Sequence, residues 1–150
     1  MKKGSNGSFS PLLHLTYVLQ QLSDDSLLEA TGVGLSQTRI MSVLSDNISR
    51  SQNWIAHELG QTEANVSRQL RVMKRRSLVS ISKNKKDNRQ RDVKLSGKGT
   101  RTYKTAVKVL NAQQARMFKL FDRGDLKAFE QGSKHLLIAL NVRADSRRKL

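Results

Sequence analysis

Apolar residues recur at helical spacing along most of the chain. Ser10 and Pro11 suit the cap and the first position of a helix, and leucines then follow every three or four residues. This pattern predicts a helix to about residue 21, or as far as residue 30. A Gly-Val-Gly break at 32–34 separates it from a second predicted helix, which begins at a Ser36 cap and ends near residue 47.

Two short helices are predicted next, with a turn between them. Gly60 ends the first, near residues 53–59, and Thr62 caps the second, near residues 62–75. Val66, Leu70 and Met73 share one face of the second helix and are predicted to enter the core. Two short helices joined by such a turn have the proportions of a helix-turn-helix.

Two short runs with alternating and β-branched residues follow, over 78–81 and 91–95. They predict two strands, and the polar and basic residues 82–90 form the loop between them. A hairpin directly after the second helix of a helix-turn-helix makes a winged helix, in which the hairpin is the wing. The predicted fold class is therefore mainly α with a small β-wing.

A long helical pattern follows the predicted wing. Ser96 is a candidate cap, and apolar residues keep helical spacing to about residue 122. A helix of that length spans on the order of 40 Å, which is too long to pack within one small winged domain. Residues 123–125 are predicted to form a turn, and the last helix follows to about residue 140.

Charge is concentrated in the second and third parts of the chain. The formal net charge of +16 comes from 28 Lys and Arg residues against 12 Asp and Glu residues. Residues 1–50 sum to zero, whereas residues 51–100 and 101–150 each contribute +8. The densest region, 68–94, has eleven basic and two acidic residues. A local basic patch is what phosphate binding requires, so nucleic acid is the expected partner, ahead of a membrane surface.

Several other classes of chemistry find no support in the sequence. With no Cys, the chain has no disulfide, thiolate metal site, thiol switch or Cys nucleophile. The His57-Glu58 pair lacks the second His of a metalloprotease motif, and the three histidines are dispersed. We therefore expect no catalytic residues, no metal and no cofactor. With no long apolar run and no export signal, a cytoplasmic protein without a membrane partner is expected.

The order of these elements resembles the MarR family of bacterial and archaeal transcription regulators. The resemblance covers about residues 10–140, and it rests on the ordered set of segments with the right spacings, since any one fragment is weak. Ser77 departs from the family's usual Gly, and Gln61 and Gln69 replace usual aliphatic residues. The matching segments are 35–39, 56–60, 66–68, 78–79, 87–89 and 93–99, and Ser36 and Ser96 stand there for Thr.

The resemblance implies a homodimer that binds a roughly palindromic site in double-stranded DNA, usually as a repressor. It implies a winged helix-turn-helix over 35–95 and a helical dimerisation region over 10–30 and 96–140, with a flexible tail at 1–9 and a basic tail at 141–150. The flanking helices carry more apolar positions than one small domain can hide, which agrees with a dimer. The alternative is a monomeric helical extension packed on itself.

The second helix of the helix-turn-helix would then lie in the major groove. Asn65 could pair with adenine and Arg68 with guanine, although Arg68 could instead contact phosphate or remain a solvated charge. Gln69 either lies near DNA or sits at a partly exposed position. Further cations follow along this helix, and we expect them to contact the DNA backbone or solvent. They are Arg71, Lys74, Arg75 and Arg76. The predicted DNA contacts in this helix are Thr62, Glu63, Ala64, Asn65, Ser67, Arg68 and Gln69.

In the wing, the resemblance assigns Arg89 to the minor groove. Asp87 would orient that arginine by a charge-assisted hydrogen bond. Lys83, Lys85 and Lys86 suit phosphates. The alternative for this segment is a basic loop that orders only on DNA.

A small-molecule effector is the remaining expectation from the family. Its members often bind aromatic acids in the cleft between the winged domain and the dimer helices. His14, Tyr17, Arg39 and Trp54 are candidate cleft residues, although residues of this kind more often serve packing or lie at the surface. An effector would act by favouring one spacing of the two recognition helices.

Two other functions compete with a sequence-specific regulator. An architectural protein that coats DNA with little sequence preference would account for the +8 in residues 101–150. An enzyme or RNA-modifying factor could use a winged helix for docking, but the sequence contains no candidate catalytic group. The two DNA-binding functions differ in the ratio of specific to non-specific affinity.

Overall fold

The structure, a computed structural model, describes residues 10–84 and 91–139. These residues form a mainly helical fold with a small antiparallel sheet, so the predicted fold class is confirmed. The predicted tails and part of the wing loop, including Lys85, Lys86, Asp87 and Arg89, lie outside the described residues. The elements are α1 (Pro11–Thr31), α2 (Leu35–Val43), β1 (Arg50–Ser51), α3 (Gln52–Leu59), α4 (Glu63–Arg75), β2 (Val79–Lys83), β3 (Arg91–Leu95), α5 (Gly97–Phe118) and α6 (Arg123–Ala139).

The sheet has the strand order β1-β3-β2, with both pairs antiparallel. Val79 of β2 lies opposite Leu95 of β3, and Ile81 lies opposite Val93. These apolar side chains fall on one face because side chains alternate along a strand. Strand β1 was not predicted, since its two residues, Arg50 and Ser51, are too few to show alternation.

The core lies where the helix-turn-helix packs against the sheet and α5. Val66, Leu70 and Met73 of α4 are fully buried, which confirms the predicted core face. They join Ile55 of α3 and Val93 of β3 in one apolar cluster. Burial of each such side chain contributes roughly 1.5–3 kcal/mol, so this cluster holds α4 firmly in place.

The start of α2 differs from the prediction. Gly34, not Ser36, occupies the cap position, and Ser36 lies in the first turn. The missing cap comes from α1, because the carboxylate of Asp24 accepts a hydrogen bond from the Leu35 N–H at 2.6 Å. The helix ends at Val43, so the expected end near residue 47 was also wrong.

The start of α6 also corrects the prediction. Residues 123–125, expected to form a turn, make up the first turn of the helix, and α5 ends at Phe118 instead of near residue 122. The cause is local, since the side chain of Asp122 accepts a hydrogen bond from the Asp125 N–H at 2.8 Å. Such a cap supplies an acceptor for a backbone N–H in the first turn of α6, which has no acceptor within the helix itself.

Helices α1 and α5 pack side by side and leave an apolar groove between them. The groove has a volume of about 720 Å³. Helix α6 has no buried side chain. Across residues 10–84 and 91–139, no helix is both long and apolar enough to cross a membrane. The groove is lined by Leu15, Val18, Leu19, Leu22, Ser23, Ser26, Leu110, Gln113, Gln114, Arg116, Met117 and Leu120.

Candidate nucleic-acid interface

The turn between α3 and α4 is formed by Gly60, Gln61 and Thr62. Gly60 has a φ of 61°, a left-handed conformation that glycine adopts without a steric penalty. The Gln61 N–H then bonds to the Ala56 carbonyl at 2.9 Å. Thr62 caps α4 as predicted, because its hydroxyl accepts a hydrogen bond from the Asn65 N–H at 3.3 Å.

Opposite its buried side, α4 presents a polar and basic surface. Glu63, Ala64 and Arg68 are exposed in the first turns, and Ser67 is partly buried. The rest of the outer surface is cationic and exposed, since Arg71, Lys74 and Arg75 lie on it. A helix anchored by one apolar face and cationic on the other is suited to lie against the phosphates of a groove.

A cluster of three amide side chains runs along one flank of α4. The Oε1 atom of Gln61 accepts hydrogen bonds from Asn65 Nδ2 at 3.2 Å and from Gln69 Nε2 at 3.1 Å. All three residues are partly buried. We call Gln61, Asn65 and Gln69 the amide cluster. The two aliphatic-to-Gln departures therefore contact each other. Sequence reasoning missed this contact, because the two residues are eight positions apart and Gln61 belongs to the turn before α4.

The amide cluster restricts what Gln69 and Asn65 can do. Gln69 sits on the flank of α4, and its Oε1 atom is enclosed without a partner among the described residues. Asn65 uses one of its two amide hydrogens on Gln61, which leaves one N–H and the carbonyl oxygen. That remaining pair is the donor and acceptor set that an asparagine needs to bind the major-groove edge of adenine.

The C-terminal end of α4 is tied to the strand and helix that follow. Ser77 has a φ of 59°, so it adopts the left-handed conformation at the position where the family usually has Gly. Its carbonyl accepts a hydrogen bond from the Ser96 hydroxyl at 2.6 Å, and the same hydroxyl caps α5 at the Gly99 N–H. A side chain at Gly99 would approach the Leu78 carbonyl oxygen to 2.0 Å, so only glycine fits this crossing.

Arg76 connects the same end of α4 to α1. Its guanidinium donates to the carbonyl of Gly32, the residue that caps the C-terminal end of α1, and its own carbonyl accepts from Lys98 Nζ at 3.0 Å. Arg76 was expected to contact the DNA backbone or solvent, and its guanidinium also makes this internal hydrogen bond. The end of α4 is thereby joined to both α1 and α5.

The base of the wing contains one polar contact of note. The side chain of Asn84 donates to both carboxylate oxygens of Asp92, at 3.0 and 3.1 Å. Lys83 and Arg91 are exposed at the ends of β2 and β3. The strands thus bring two cations to the end of the sheet that carries the wing loop.

A polar cavity lies beside the first turn of α4. It has a volume of about 610 Å³, and its lining includes Trp54, His57, Glu63 and Arg91. The indole of Trp54 also stacks under the guanidinium of Arg50, at 4.7 Å from the ring centre. The cavity is also lined by Ser51, Gln52 and Asn53.

The four predicted effector residues are not brought together. Trp54 lines the polar cavity, whereas His14 and Tyr17 are exposed on α1 and Arg39 is exposed on α2. Neither this cavity nor the α1–α5 groove includes His14, Tyr17 or Arg39 in the described residues. Within the same residues, no group of three or more metal-binding side chains occurs.

The comparisons with known proteins agree with this geometry. Residues 31–90 match the MarR family. No curated protein sequence matches the chain. Among solved structures, MepR of Staphylococcus aureus in a DNA complex is 18% identical, with a TM-score of 0.74 over 89% of this chain and 99% of that chain.

Two further structures share the fold. YusO from Bacillus subtilis is 20% identical, with a TM-score of 0.70 over 85% of this chain and 90% of that chain. PcaV from Streptomyces coelicolor, solved in complex with its natural ligand, is 14% identical, with a TM-score of 0.72 over 93% of this chain and 99% of that chain. On these findings residues 31–90 match the MarR family model, and the chain shares the winged helix-turn-helix fold of the transcription regulators MepR and PcaV.

Proposed function

We propose that this protein is a sequence-specific transcription regulator, acting as a repressor, that binds double-stranded DNA as a homodimer. The observation that carries the proposal is the arrangement of α4. Its apolar face is fixed in the core, its N-terminus is capped by Thr62, and its outer face is exposed and basic. The fold is shared with MepR, which was solved in complex with DNA.

The proposed base contacts come from the first turns of α4. Arg68 is exposed there and can donate two parallel hydrogen bonds to guanine, while Asn65 offers its free donor and acceptor to adenine. Thr62 and Ser67 can donate to phosphates, and Glu63 can accept from cytosine. Ala64 can contact a thymine methyl group. Together these side chains would read one half-site of the operator.

The wing is proposed to supply a second set of contacts. Lys83 is exposed at the end of β2 that leads into the wing loop. From the family resemblance, Lys85 and Lys86 would contact phosphates, and Arg89, paired with Asp87, would enter the minor groove. Such contacts add affinity for A·T-rich flanks without reading each base pair.

A dimer is supported by the apolar surface that one chain leaves uncovered. Leu120 lines the α1–α5 groove and is 85% exposed, and Ile138 of α6 is 69% exposed. Large exposed apolar patches mark interaction sites. A second copy would cover both surfaces, which supports the dimerisation region proposed over 10–30 and 96–140. A two-fold dimer would place its recognition helices about 34–36 Å apart, on successive major grooves.

An effector site is proposed in the polar cavity beside α4. Trp54 offers an aromatic face, and His57 and Arg91 offer donors for an anionic group. Glu63 lines the same cavity and belongs to the first turn of α4, so an occupant would act directly on the recognition helix. PcaV was solved with its natural ligand, which supports ligand binding within this fold.

The proposed function is tested by selecting DNA from a random pool and comparing selected with scrambled duplexes. A specific regulator is expected to prefer the selected duplex by roughly 10³ or more at physiological salt. Sedimentation of the complex measures how many chains bind each duplex, and two are expected. An affinity ratio near one would contradict sequence-specific regulation.

An architectural DNA-binding protein is the second candidate function. One observation favours it, since α5 contains five basic residues and no acidic residue. A uniform cationic surface of this kind binds phosphates whatever the sequence. The affinity ratio of the selection experiment separates the two candidates.

A further inference from the structure

We infer that α5 carries a second DNA-binding surface, which binds the sugar-phosphate backbone of duplex DNA without reading its sequence. We call this surface the basic stripe, and it consists of Lys98, Arg101, Lys104 and Lys108. It lies outside the helix-turn-helix and the wing. The inference does not depend on the proposed sequence-specific function, because phosphate binding needs no operator.

Helical geometry places the stripe on one side of α5. Successive side chains are about 100° apart, so Arg101, Lys104 and Lys108 fall within a sector of about 60°. Lys98 extends this sector to about 120°, over a length of about 15 Å. All four side chains are exposed. The buried Tyr103 is on the opposite side of the helix.

The charge of the stripe is not compensated locally. From residue 93 to residue 121 the sequence has seven basic residues and no acidic residue. Among the described residues, the side chains of Arg101, Lys104 and Lys108 take part in no ion pair or hydrogen bond. Helix α6 differs, because Asp125 and Glu130 lie among its cations. The stripe therefore retains its full positive charge for an external partner.

The proposed dimer would leave the stripe accessible. Leu110 and Met117 of α5 line the apolar groove, and they project from the side of the helix opposite the stripe. A second copy seated in the groove would therefore not cover the four cations. The two surfaces can act at the same time.

The stripe is also separate from the base-reading end of α4. Lys98 Nζ binds the carbonyl of Arg76, so the stripe begins at the C-terminal end of the recognition helix. Thr62 marks the other end, about 20 Å away at the rise of an α-helix. DNA held on the stripe is thus a different stretch of duplex from the one read by the first turns of α4.

Duplex DNA fits this surface better than a protein or a membrane does. Along α5, the 120° sector of the stripe also contains Thr105, Ala112 and Ala115, and no large apolar side chain. Protein interfaces need buried aromatic or apolar anchors, and membrane-surface helices need an apolar face next to their cations. Phosphate binding needs only positioned cations.

The test compares two triple variants with equal loss of charge. The stripe variant is Arg101→Gln, Lys104→Gln, Lys108→Gln, and the control on α6 is Arg123→Gln, Lys127→Gln, Lys134→Gln. The stripe substitutions lie opposite the buried side of α5, and the control residues are exposed on α6, so both variants are expected to fold. Lys127 and Lys134 share a side of α6 with Ile138, so sedimentation checks that the control remains a dimer. Binding of full-length protein to a scrambled duplex is measured by fluorescence anisotropy over a salt series.

The slope of log affinity against log salt changes by about 0.9 for each phosphate that the protein no longer neutralises. The stripe variant is therefore expected to reduce the slope by about 2 to 3, whereas the control changes it by less than about one. If a selected operator exists, the stripe variant should weaken selected and scrambled duplexes by the same factor. Absence of any selected operator would contradict the proposed function alone, and the scrambled duplex would still test the stripe.

Two outcomes would overturn the inference. One is an equal salt slope for the stripe variant and the α6 control. The other is a loss of binding to vesicles that contain phosphatidylserine, without any loss of binding to DNA, which would assign the stripe to a membrane surface. Circular dichroism of both variants checks that the fold is retained.

Discussion

At the residue scale, Gln61 is the common acceptor of the amide cluster. Gln61 and Gln69 stand where the family usually has aliphatic side chains, so a hydrogen bond replaces what would be an apolar contact. A partly buried hydrogen bond between neutral groups contributes roughly 0.5–1.5 kcal/mol. Removal of one partner costs more than removal of both, because a polar group is then left enclosed without a bond.

Replacement of the two glutamines should therefore be strongly non-additive. Gln61→Val is expected to destabilise the fold by about 1 to 2 kcal/mol, since it removes the acceptor of both Asn65 and Gln69. The double variant Gln61→Val, Gln69→Leu should recover much of that loss, since only the Asn65 amide then lacks its acceptor. Urea denaturation of the wild type, both single variants and the double variant gives the coupling free energy, and additive effects would contradict the shared bond.

Substitution of Arg68 distinguishes a contact with a base from a contact with a phosphate. If Arg68 binds guanine, Arg68→Ala should cost about tenfold or more in affinity for the selected site and relax the preference at one base pair. Arg71 is the matched control, because it is also exposed on α4 but about one turn further from the N-terminus. The affinity of the Arg68→Ala and Arg71→Ala proteins is measured on a panel of duplexes that each differ from the selected site at one base pair. If Arg68→Ala lowers affinity by the same factor for every duplex, Arg68 contacts the DNA backbone and not a base.

Tyr103 makes the stability of the core sensitive to alkaline pH. Burial raises the pKa of Tyr103 above its ordinary value of 10.0, and a hydrogen bond with Ser45 opposes this shift. A pKa that is higher in the folded state gives stability that is present below about pH 10 and is lost as pH rises through the folded-state value. Tyr103→Phe should therefore lose less stability than wild type between neutral and alkaline pH, as urea unfolding would measure. A constant difference between the two proteins would contradict this.

At the scale of the elements, the crossing of α5 over the end of α4 depends on one glycine. A methyl group at Gly99 would lie 2.0 Å from the Leu78 carbonyl oxygen, closer than any real contact. Gly99→Ala should therefore shift α5 and destabilise the fold by more than about 2 kcal/mol. Gly97→Ala is the matched control, because its methyl group would come no closer than 3.7 Å to a side-chain atom of Arg101. Equal unfolding midpoints for the two variants would contradict the packing.

The sequence predicted those elements whose signals are local. Helices α3 and α4 have their own stop and cap in Gly60 and Thr62, and the periodicity of α4 correctly identified its buried face. The start of α2 could not be predicted in this way, because its cap is Asp24, which lies on another helix. The amide cluster escaped prediction for a similar reason, since its first member belongs to the turn before the helix.

At the scale of the whole molecule, the charge and the apolar surface occupy different sides. The cations of α4 and of the basic stripe face solvent, whereas the groove between α1 and α5 is lined by leucines and Met117. Burial of exposed apolar area stabilises association by roughly 25 cal/mol per Å². Association through the groove would therefore gather the basic surfaces of two chains on one assembly without burying them.

Leu120 tests this arrangement because it contributes to the groove and almost nothing to the core of one chain. Leu120→Glu should leave the unfolding of a single chain nearly unchanged, since the side chain is 85% exposed, but place a carboxylate where the partner would pack. Ile48→Glu is the control, because Ile48 is also exposed and lies between α2 and β1, away from the groove. Analytical ultracentrifugation is expected to find monomers for Leu120→Glu and dimers for wild type and Ile48→Glu. A single recognition helix holds only one half-site, so affinity for a palindromic duplex should fall with dimerisation. Dimers of Leu120→Glu with wild-type affinity would place the interface elsewhere on the chain.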